Sequence, residues 1–460
     1  MLPDVALLEI FDFYLHSGEI WGFNPEPYTK WYKLVHVCRK WRNIIFGSPA
    51  RLDLRLYCTS RSPVMKSLDV WPSSLPIVIH MGNANYTFNM DNVIAALKQN
   101  DRICRLSLSV SKPSSWEKIF ATMQQPFPAL TSINLTNRGE IAPVDADSFL
   151  GGSAPPHLQT LSLDGIPIPG LPKLLLSATH LVHLFLLKIP HSGYFSPKAM
   201  VACLSVLTRL ESLHIGFKSP RSRPDRRHPP PRTRALLPVL TELYFIGVSE
   251  YLEDFVARIN APLLNKLTVF FFHQLVFDTP QLALFISRTP KFKTHDRLEA
   301  RVGFPCVNVS FTTLDRRLEL LISCRESDWQ LSSLAQVCSS SLPQSLISTV
   351  EHLYISESYL TGHLDNNIDD IESYQWLEFL RPFTAVKHLY ITPKSTPGIA
   401  TALQGLIAET VTEVLPALQT FFLEELPSKP IQEAIEKFTA ARQLFSHPIT
   451  VSRCGREGFR

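Results

Sequence analysis

The hexapeptide "LQTLSL" (158–163) carries leucines at its first, fourth and sixth positions, and this spacing returns along most of the chain. Other copies are "LTSINL" (130–135), "LVHLFL" (181–186) and "LTELYF" (240–245). The central apolar residues of seven successive copies lie 27, 28, 23, 29, 30 and 24 residues apart. A recurring interval of about 20–30 residues indicates a repeat architecture, in which stacking neighbouring units makes one continuous core.

Each copy predicts a short β-strand, and the pattern resumes at Val350, Val386 and Leu418 after a lapse. Because side chains alternate along a strand, the apolar residues of each copy point to one face of the sheet. The residue between the second and third apolar positions should therefore lie on the opposite face. These residues are Ser107, Asn134, Ser162, Phe185, His214, Tyr244, Thr268, Tyr354, Tyr390 and Phe422.

A different pattern precedes the repeats. The segment "LPDVALLEIFDFYL" (2–15) predicts a helix with two adjacent apolar stripes, and shorter helices are predicted over 31–37 and 39–46. Three short helices are too few to bury so many apolar side chains by themselves. We therefore expect a partner to complete this core, although the helices could also serve only as a cap on the repeats.

The two halves of this helical segment resemble the F-box, the small module that docks on the Skp-type adaptor of cullin-based ubiquitin ligases. Leu2-Pro3 and Ile10-Phe11 match its opening and its first helix, and the segment "VCRKW" (37–41) matches its second half. Val5-Ala6 departs from the usual acidic-aliphatic pair, and the loop after the first helix is longer than usual. The resemblance implies that the adaptor contacts Leu2, Pro3, Leu7, Ile10, Phe11, Val37, Cys38 and Trp41.

The whole chain is similar to F-box proteins with leucine-rich repeats, of a kind abundant in mushroom-forming fungi. The segments that carry this similarity are "VCRKWR", "GSPARLDLRL", "LDVWP" and "ISCRESDWQLSSL". The expected fold is a mixed α/β solenoid, in which a three-helix F-box precedes irregular repeats that end in a helix-strand cap. The predicted divisions are an F-box (1–56), a linker (57–75), the repeats (76–427) and a capping helix with a tail (428–460).

Two segments interrupt the repeats. Residues 219–235 form a loop rich in arginine and proline, and alternation over 297–324 predicts an inserted antiparallel strand run. The basic loop could serve nuclear import or nucleic-acid binding, but a solvated loop is the simpler interpretation. We expect no nucleic-acid partner, because the formal charge of +4 comes from this one loop.

The resemblance implies a non-catalytic function: a substrate-recognition subunit of a Skp-cullin-F-box ubiquitin ligase, cytoplasmic or nuclear. The F-box would bind the adaptor and, through it, the cullin, and the repeats would bind a target protein. The outward-pointing Tyr244, Tyr354, Tyr390 and Phe422 are the predicted target contacts, unless they pack against 297–324 or the cap. The alternative function is that of a non-catalytic solenoid scaffold without a role in ubiquitin transfer.

Other chemistries lack their motifs. No phosphate-binding loop, dinucleotide fingerprint, nucleophile elbow or HExxH zinc motif occurs, so we expect neither a catalytic site nor a cofactor. The eight cysteines form no CxxC pair, and His180 and His183 should face opposite ways, so no metal site is predicted. The segment "DNNIDD" (365–370) lacks the glycine and glutamate of a calcium loop. The longest apolar run, 267–277, is too short to span a bilayer.

Overall fold

The structure is a computed structural model, and it describes most of the chain. The described residues are 2–16, 30–49, 51–58, 64–81, 90–221, 233–272, 277–293, 295–303, 306–313, 315–323, 330–357, 373–406, 410–425 and 427–454. Most of the basic loop, the segment 365–370 and the tail beyond 454 lie outside them. No helix among the described residues is long and apolar enough to cross a membrane.

Helices and strands alternate along the chain. The helices are α1 (Asp4–His16), α2 (Lys30–Val35), α3 (Arg39–Gly47), α4 (Val64–Val70), α5 (Met90–Leu97), α6 (Pro113–Thr122), α7 (Leu171–Leu175), α8 (Pro197–Leu204), α9 (Ser249–Val256), α10 (Pro280–Arg288), α11 (Gln330–Ser341), α12 (Gln344–Ile347), α13 (Ser373–Leu380), α14 (Thr396–Gln404), α15 (Thr410–Glu413) and α16 (Lys429–Leu444). The strands are β1 (Leu56–Cys58), β2 (Ile77–Met81), β3 (Ile103–Val110), β4 (Ser132–Asn137), β5 (Thr160–Asp164), β6 (His183–Ile189), β7 (Ser212–Phe217), β8 (Ala235–Leu236), β9 (Glu242–Gly247), β10 (Ile259–Asn260), β11 (Lys266–Phe271), β12 (Arg297–Val302), β13 (Cys306–Thr312), β14 (Arg317–Ser323), β15 (His352–Glu357), β16 (His388–Ile391), β17 (Thr420–Leu423) and β18 (Thr450–Arg453).

The chain divides into two compact units, Met1–Leu184 and Phe185–Arg460, with the boundary inside β6. In the first unit, β1 to β5 pair in parallel and in chain order. Equivalent leucines pair across strands, as Leu106 does with Ile133 and Ile133 with Leu161. These residues are almost fully buried, which confirms the repeating strand pattern. We call their face of the sheet the core face, and the opposite one the outer face.

The turns of the first unit depend on close backbone packing beside β4 and β5. The side chain of Asn137 is buried, and its Nδ2 donates to the carbonyl oxygens of Gly139 (2.8 Å) and Gly165 (3.1 Å). Gly165 has φ of +71°, and a Cβ there would lie 2.7 Å from the carbonyl oxygen of Asn137. Only glycine fits this left-handed position without strain.

The structure differs from the predicted linker over 57–75. Leu56 pairs with Ile77, so the sheet begins before residue 76, and α4 packs against α5. The rings of Trp71 and Trp31 lie 5.1 Å apart, which joins this segment to the N-terminal helices. The polar residues around Pro63 suggested a linker, but buried side chains on either side attach the segment to the core.

In the second unit, the strand order is β6-β7-β9-β11-β14-β13-β12-β15-β16-β17-β18. The segment 297–324 forms an antiparallel run as predicted, because β13 is antiparallel to both β12 and β14. The run is part of the sheet, since β14 pairs in parallel with β11 and β12 with β15. The interruption of the repeat pattern is therefore not an interruption of the sheet. The short strands β8 and β10 form a separate two-stranded parallel sheet.

The C-terminal helix and strand follow the prediction closely. Helix α16 packs against α14, and β18 extends the sheet in parallel beside β17. Arg442 was not expected in this core, yet its side chain is fully buried. Its guanidinium donates to the carbonyl oxygens of Val411 (3.1 Å), Leu415 (3.3 Å) and Pro416 (3.2 Å). Val411 lies in the short helix α15 and the other two carbonyl groups follow it, so the cation offsets the carbonyl dipoles at this helix end.

Candidate docking surfaces

The first candidate surface lies on α1, whose apolar side chains have two different environments. Leu7 and Phe11 are 6% and 0% exposed, and they pack into a cluster with α2 and α3. Ile10 and Phe13, on the neighbouring side of the helix, are 49% and 75% exposed, although Ile10 shares a predicted stripe with Leu7. Large apolar side chains at this exposure, side by side on one helix, are typical of an interaction surface.

Several contacts around the beginning of α3 hold the turn between α2 and α3. Cys38 is the N-cap of α3, and its Sγ accepts a hydrogen bond from the backbone N–H of Trp41 (3.5 Å). The Trp41 ring packs edge-on against Phe11 at 4.8 Å, and Arg42 Nε donates to the carbonyl oxygen of Val35 (3.0 Å). The cap and these contacts hold the α2–α3 turn, where Val37 remains 59% exposed.

Polar contacts join the beginning of α1 to the beginning of α3. Lys40 Nζ lies 3.0 Å from the carboxylate of Asp4 and 3.4 Å from the carbonyl oxygen of Leu2. Arg51 also pairs with Glu9 on α1. These contacts hold the exposed Leu2 near the α2–α3 turn, which includes Val37.

The predicted adaptor contacts fall into two groups. Leu2, Pro3, Ile10, Val37 and Cys38 are exposed, and Trp41 is half-buried.

Leu7 and Phe11 differ from the prediction, because they lie in the core of the helices and offer no surface to a partner. The resemblance indicated which residue types matter, but α2 and α3 decide which side of α1 is covered. Phe13 was not predicted as a contact, although it lies three residues from Ile10 and is 75% exposed.

An aromatic cluster packs against these helices. Trp31 packs on Tyr32 and Phe46, and Trp71 contacts all three rings. The indole N–H of Trp31 donates to the carbonyl oxygen of Arg55 (3.2 Å). Burial raises the pKa of Tyr32 to about 12. This packing makes the helices continuous with the first strands of the sheet.

The second candidate surface is the outer face of the second unit, where three predicted target contacts form a column. The rings of Tyr354 and Tyr390 stack at 4.1 Å with 6° between their planes, and those of Tyr390 and Phe422 at 4.5 Å with 8°. The Arg297 guanidinium covers the other side of Tyr354, 3.9 Å from its centroid. We call these four residues the aromatic column.

Stacking leaves the middle of the aromatic column poorly accessible. Tyr354 and Tyr390 are only 8% and 9% exposed, while Phe422 is half-buried. Tyr354 packs against Arg297 of the 297–324 segment, which is the alternative that the sequence left open. Tyr244, the fourth predicted contact, is half-buried on β9 and lies beside His214 at 5.1 Å, far along the strand order from the column.

A histidine pair lies beside the aromatic column. The rings of His352 and His388 stack at 4.7 Å, and the Tyr390 hydroxyl lies 3.4 Å from His352 Nδ1. Burial, followed by the neighbouring His388, lowers the pKa of His352. No group of three or more potential metal ligands occurs in the described part of the chain.

Between Tyr244 and the column, the outer face carries paired charges. Arg301 donates to both carboxylate oxygens of Glu299 (2.8 and 2.9 Å), and Ser356 Oγ donates to Glu299 Oε1 at 3.3 Å. On the neighbouring strands, Asn308 Nδ2 donates to Glu319 Oε1 (3.1 Å). This group is not visible in the sequence, because its members come together only when β12 pairs with β15 as well as with β13.

Comparison with known proteins adds little to these observations. No protein-family model and no curated protein matches the chain. Among solved structures, one match is the leucine-rich repeat-containing protein LegL7 from Legionella pneumophila, at 13% sequence identity and a TM-score of 0.28. That match covers 84% of this chain and 98% of the other. Such a TM-score carries no conclusion, and the repeat architecture described above rests on strand pairing and burial alone.

Proposed function

We propose that the chain is the substrate-recognition subunit of a Skp-cullin-F-box ubiquitin ligase, acting in the cytoplasm or nucleus. Helices α1 to α3 bind the Skp-type adaptor, the adaptor connects them to the cullin, and the repeats bind a target protein. The chain itself carries no catalytic residue in this proposal. Transfer of ubiquitin is the work of the other subunits.

The observation that carries this proposal is the uncovered side of α1. Ile10 and Phe13 are 49% and 75% exposed, whereas Leu7 and Phe11 are buried. Burying one such side chain contributes about 1.5–3 kcal/mol, so an exposed pair provides substantial binding energy to a partner. Leu2, just before α1, and Val37, just before α3, are also exposed. This arrangement suits the two-part motif that resembles an F-box.

The test is binding of a purified Skp-type adaptor to the full chain and to the double variant Ile10→Ala/Phe13→Ala. We expect wild-type binding and a loss of at least about tenfold in the variant, because central apolar anchors dominate such interfaces. The matched control is Met65→Ala/Val70→Ala on α4, whose two apolar side chains are 57% and 70% exposed. Calorimetry would measure both affinities, and circular dichroism would check folding.

One observation favours the alternative function, a solenoid scaffold with an N-terminal cap. Trp31 of the N-terminal helices packs on Trp71, close to the first strands of the sheet, as a capping segment would. A folded wild-type chain that does not bind the adaptor would support the scaffold. Equal binding by wild type and by Ile10→Ala/Phe13→Ala would remove α1 as the docking surface.

A further inference from the structure

A row of outer-face residues crosses five neighbouring strands of the second unit. Ile246 pairs with Phe270, Phe270 with Leu321, Leu321 with Asn308, and Asn308 with Arg301. We call these five residues the outer row. Its three apolar side chains are half-buried although they face away from the core. They form a continuous apolar strip over β9, β11 and β14.

Asn308 is the fourth residue of the outer row, between Leu321 and Arg301. The residue is 8% exposed, and its Nδ2 donates to the Glu319 carboxylate. This hydrogen bond occupies one of the two carboxylates that lie beside the row.

The accessible charge around the outer row is positive. The side chains of Arg301 and Arg317 are 49% and 57% exposed, whereas those of Glu299 and Glu319 are 26% and 14% exposed. The carboxylates of Glu299 and Glu319 are less exposed than the two arginines. They already accept hydrogen bonds, from Arg301 and Asn308 respectively. A guanidinium has five N–H donors, so Arg301 keeps donors for a further acid after pairing with Glu299.

We propose that the outer row binds an extended segment of the target protein that carries an apolar residue and a carboxylate side chain. The apolar residue packs on Phe270 and Leu321, and the carboxylate accepts hydrogen bonds from Arg301. Strands lie about 4.8 Å apart, so Leu321 and Arg301 are about 10 Å apart along the row. An extended peptide covers that distance in three or four residues.

Other occupants suit the outer row less well. A nucleic-acid strand would need several cations along its path, and the row pairs one arginine with three apolar side chains. The aromatic column accepts no ring between its members, because its centroids are already 4.1 and 4.5 Å apart. Charge and shape both favour an acidic, partly apolar peptide.

The test is selection of a random twelve-residue phage-displayed peptide library on the full chain, followed by affinity measurement with synthetic peptides. We expect the selected peptides to place Asp or Glu three or four residues from Leu, Ile, Val or Phe. Arg301→Gln and Phe270→Ala should each weaken their binding about tenfold, which corresponds to one charge-assisted hydrogen bond or one anchor. Arg105→Gln is the matched control, an exposed arginine on the outer face of the first unit.

Three outcomes would overturn the proposal: no selective enrichment, enrichment of peptides that lack an acid, or undiminished binding by Arg301→Gln. The proposal rests on target recognition by the repeats, but its test is independent of adaptor binding. The row variants should still bind the adaptor, and Ile10→Ala/Phe13→Ala should still bind the selected peptides. Failure of the peptide site and failure of the adaptor site therefore give different results.

Discussion

The outer faces of the two units share one strand pattern and differ in their side chains. In the first unit the outward positions hold Ser107, Asn134 and Ser162, and in the second unit the same positions hold Tyr244, Tyr390 and other aromatic residues. The core faces are alike, with buried leucine or isoleucine at equivalent places. The comparison shows that the repeated apolar residues determine the sheet, whereas the residues between them determine what the sheet can bind.

The physical consequence differs between the two faces. Small hydroxyl side chains leave the outer face of the first unit hydrated and offer little area to a partner. Aromatic side chains on adjacent strands stack on one another in the second unit, which covers part of their own surface. The stacked rings therefore offer little free surface, which is why we propose the outer row beside them as the binding site of the second unit.

The largest effect should come from the core face, and it should be equal in the two units. Leu135 and Leu389 are both fully buried. Leu135→Ala and Leu389→Ala should each lower the free energy of unfolding by about 3 kcal/mol, through lost burial and a cavity. Urea denaturation followed by circular dichroism measures both changes. A decrease in the free energy of unfolding of less than about 1 kcal/mol in either variant would contradict the prediction that the core faces of the two units are equally well packed. Asn134→Ala, an exposed neighbour of Leu135, is the control.

A smaller effect should separate the two outer faces. Tyr390 stacks on two rings, so Tyr390→Ala should cost about 2 kcal/mol of stability from lost area and ring contacts. Ser162→Ala, at the equivalent place in the first unit, should change stability by less than about 0.5 kcal/mol. Tyr390→Phe keeps both stacks and should stay near wild type. Equal urea midpoints for Tyr390→Ala and Ser162→Ala would show that the aromatic column does not stabilise the fold.

The periodic parts of the fold could be predicted from the sequence, because local spacing specifies them. Examples are the strands around Leu161 and Leu389, and α16. The pairing of β14 with β11 and of β12 with β15 could not be predicted, because spacing along the chain does not determine which distant strands become neighbours. The outer row crosses from Phe270 to Leu321 between β11 and β14, so it was invisible in the sequence.

Helix α1 shows a second limit of sequence reasoning. The spacing along α1 predicted two apolar stripes, but spacing does not determine which of their side chains the neighbouring helices cover. Packing of α2 and α3 covers Leu7 and Phe11 and leaves Ile10 and Phe13 exposed. Burial of Arg442 was also unpredictable, because the carbonyl groups that accept its hydrogen bonds belong to a different helix and the residues after it. Motifs identify residue types, and tertiary packing assigns their roles.

The smallest effect concerns pH and again separates the outer faces. Burial, with a smaller contribution from His388, lowers the pKa of His352 below its ordinary value of 6.5. Arg297 acts in the same direction, while Asp296 and Glu351 oppose it. The unfolded chain then binds more protons than the folded chain as the pH falls below about 6.5. The stabilising contribution is therefore present above that pH and is lost towards the lowered pKa.

We therefore expect this site to make the Tm of wild type lower at pH 5.5 than at pH 7.5. His388→Gln removes the neighbouring imidazole, so its Tm should depend less on pH than that of wild type. His80→Gln is the control, because His80 is exposed on the outer face of the first unit and pairs with Ser107 across the strands. Scanning calorimetry of the three proteins at both pH values measures the difference. If His388→Gln and His80→Gln change the pH dependence equally, the stacked pair has no special role in it.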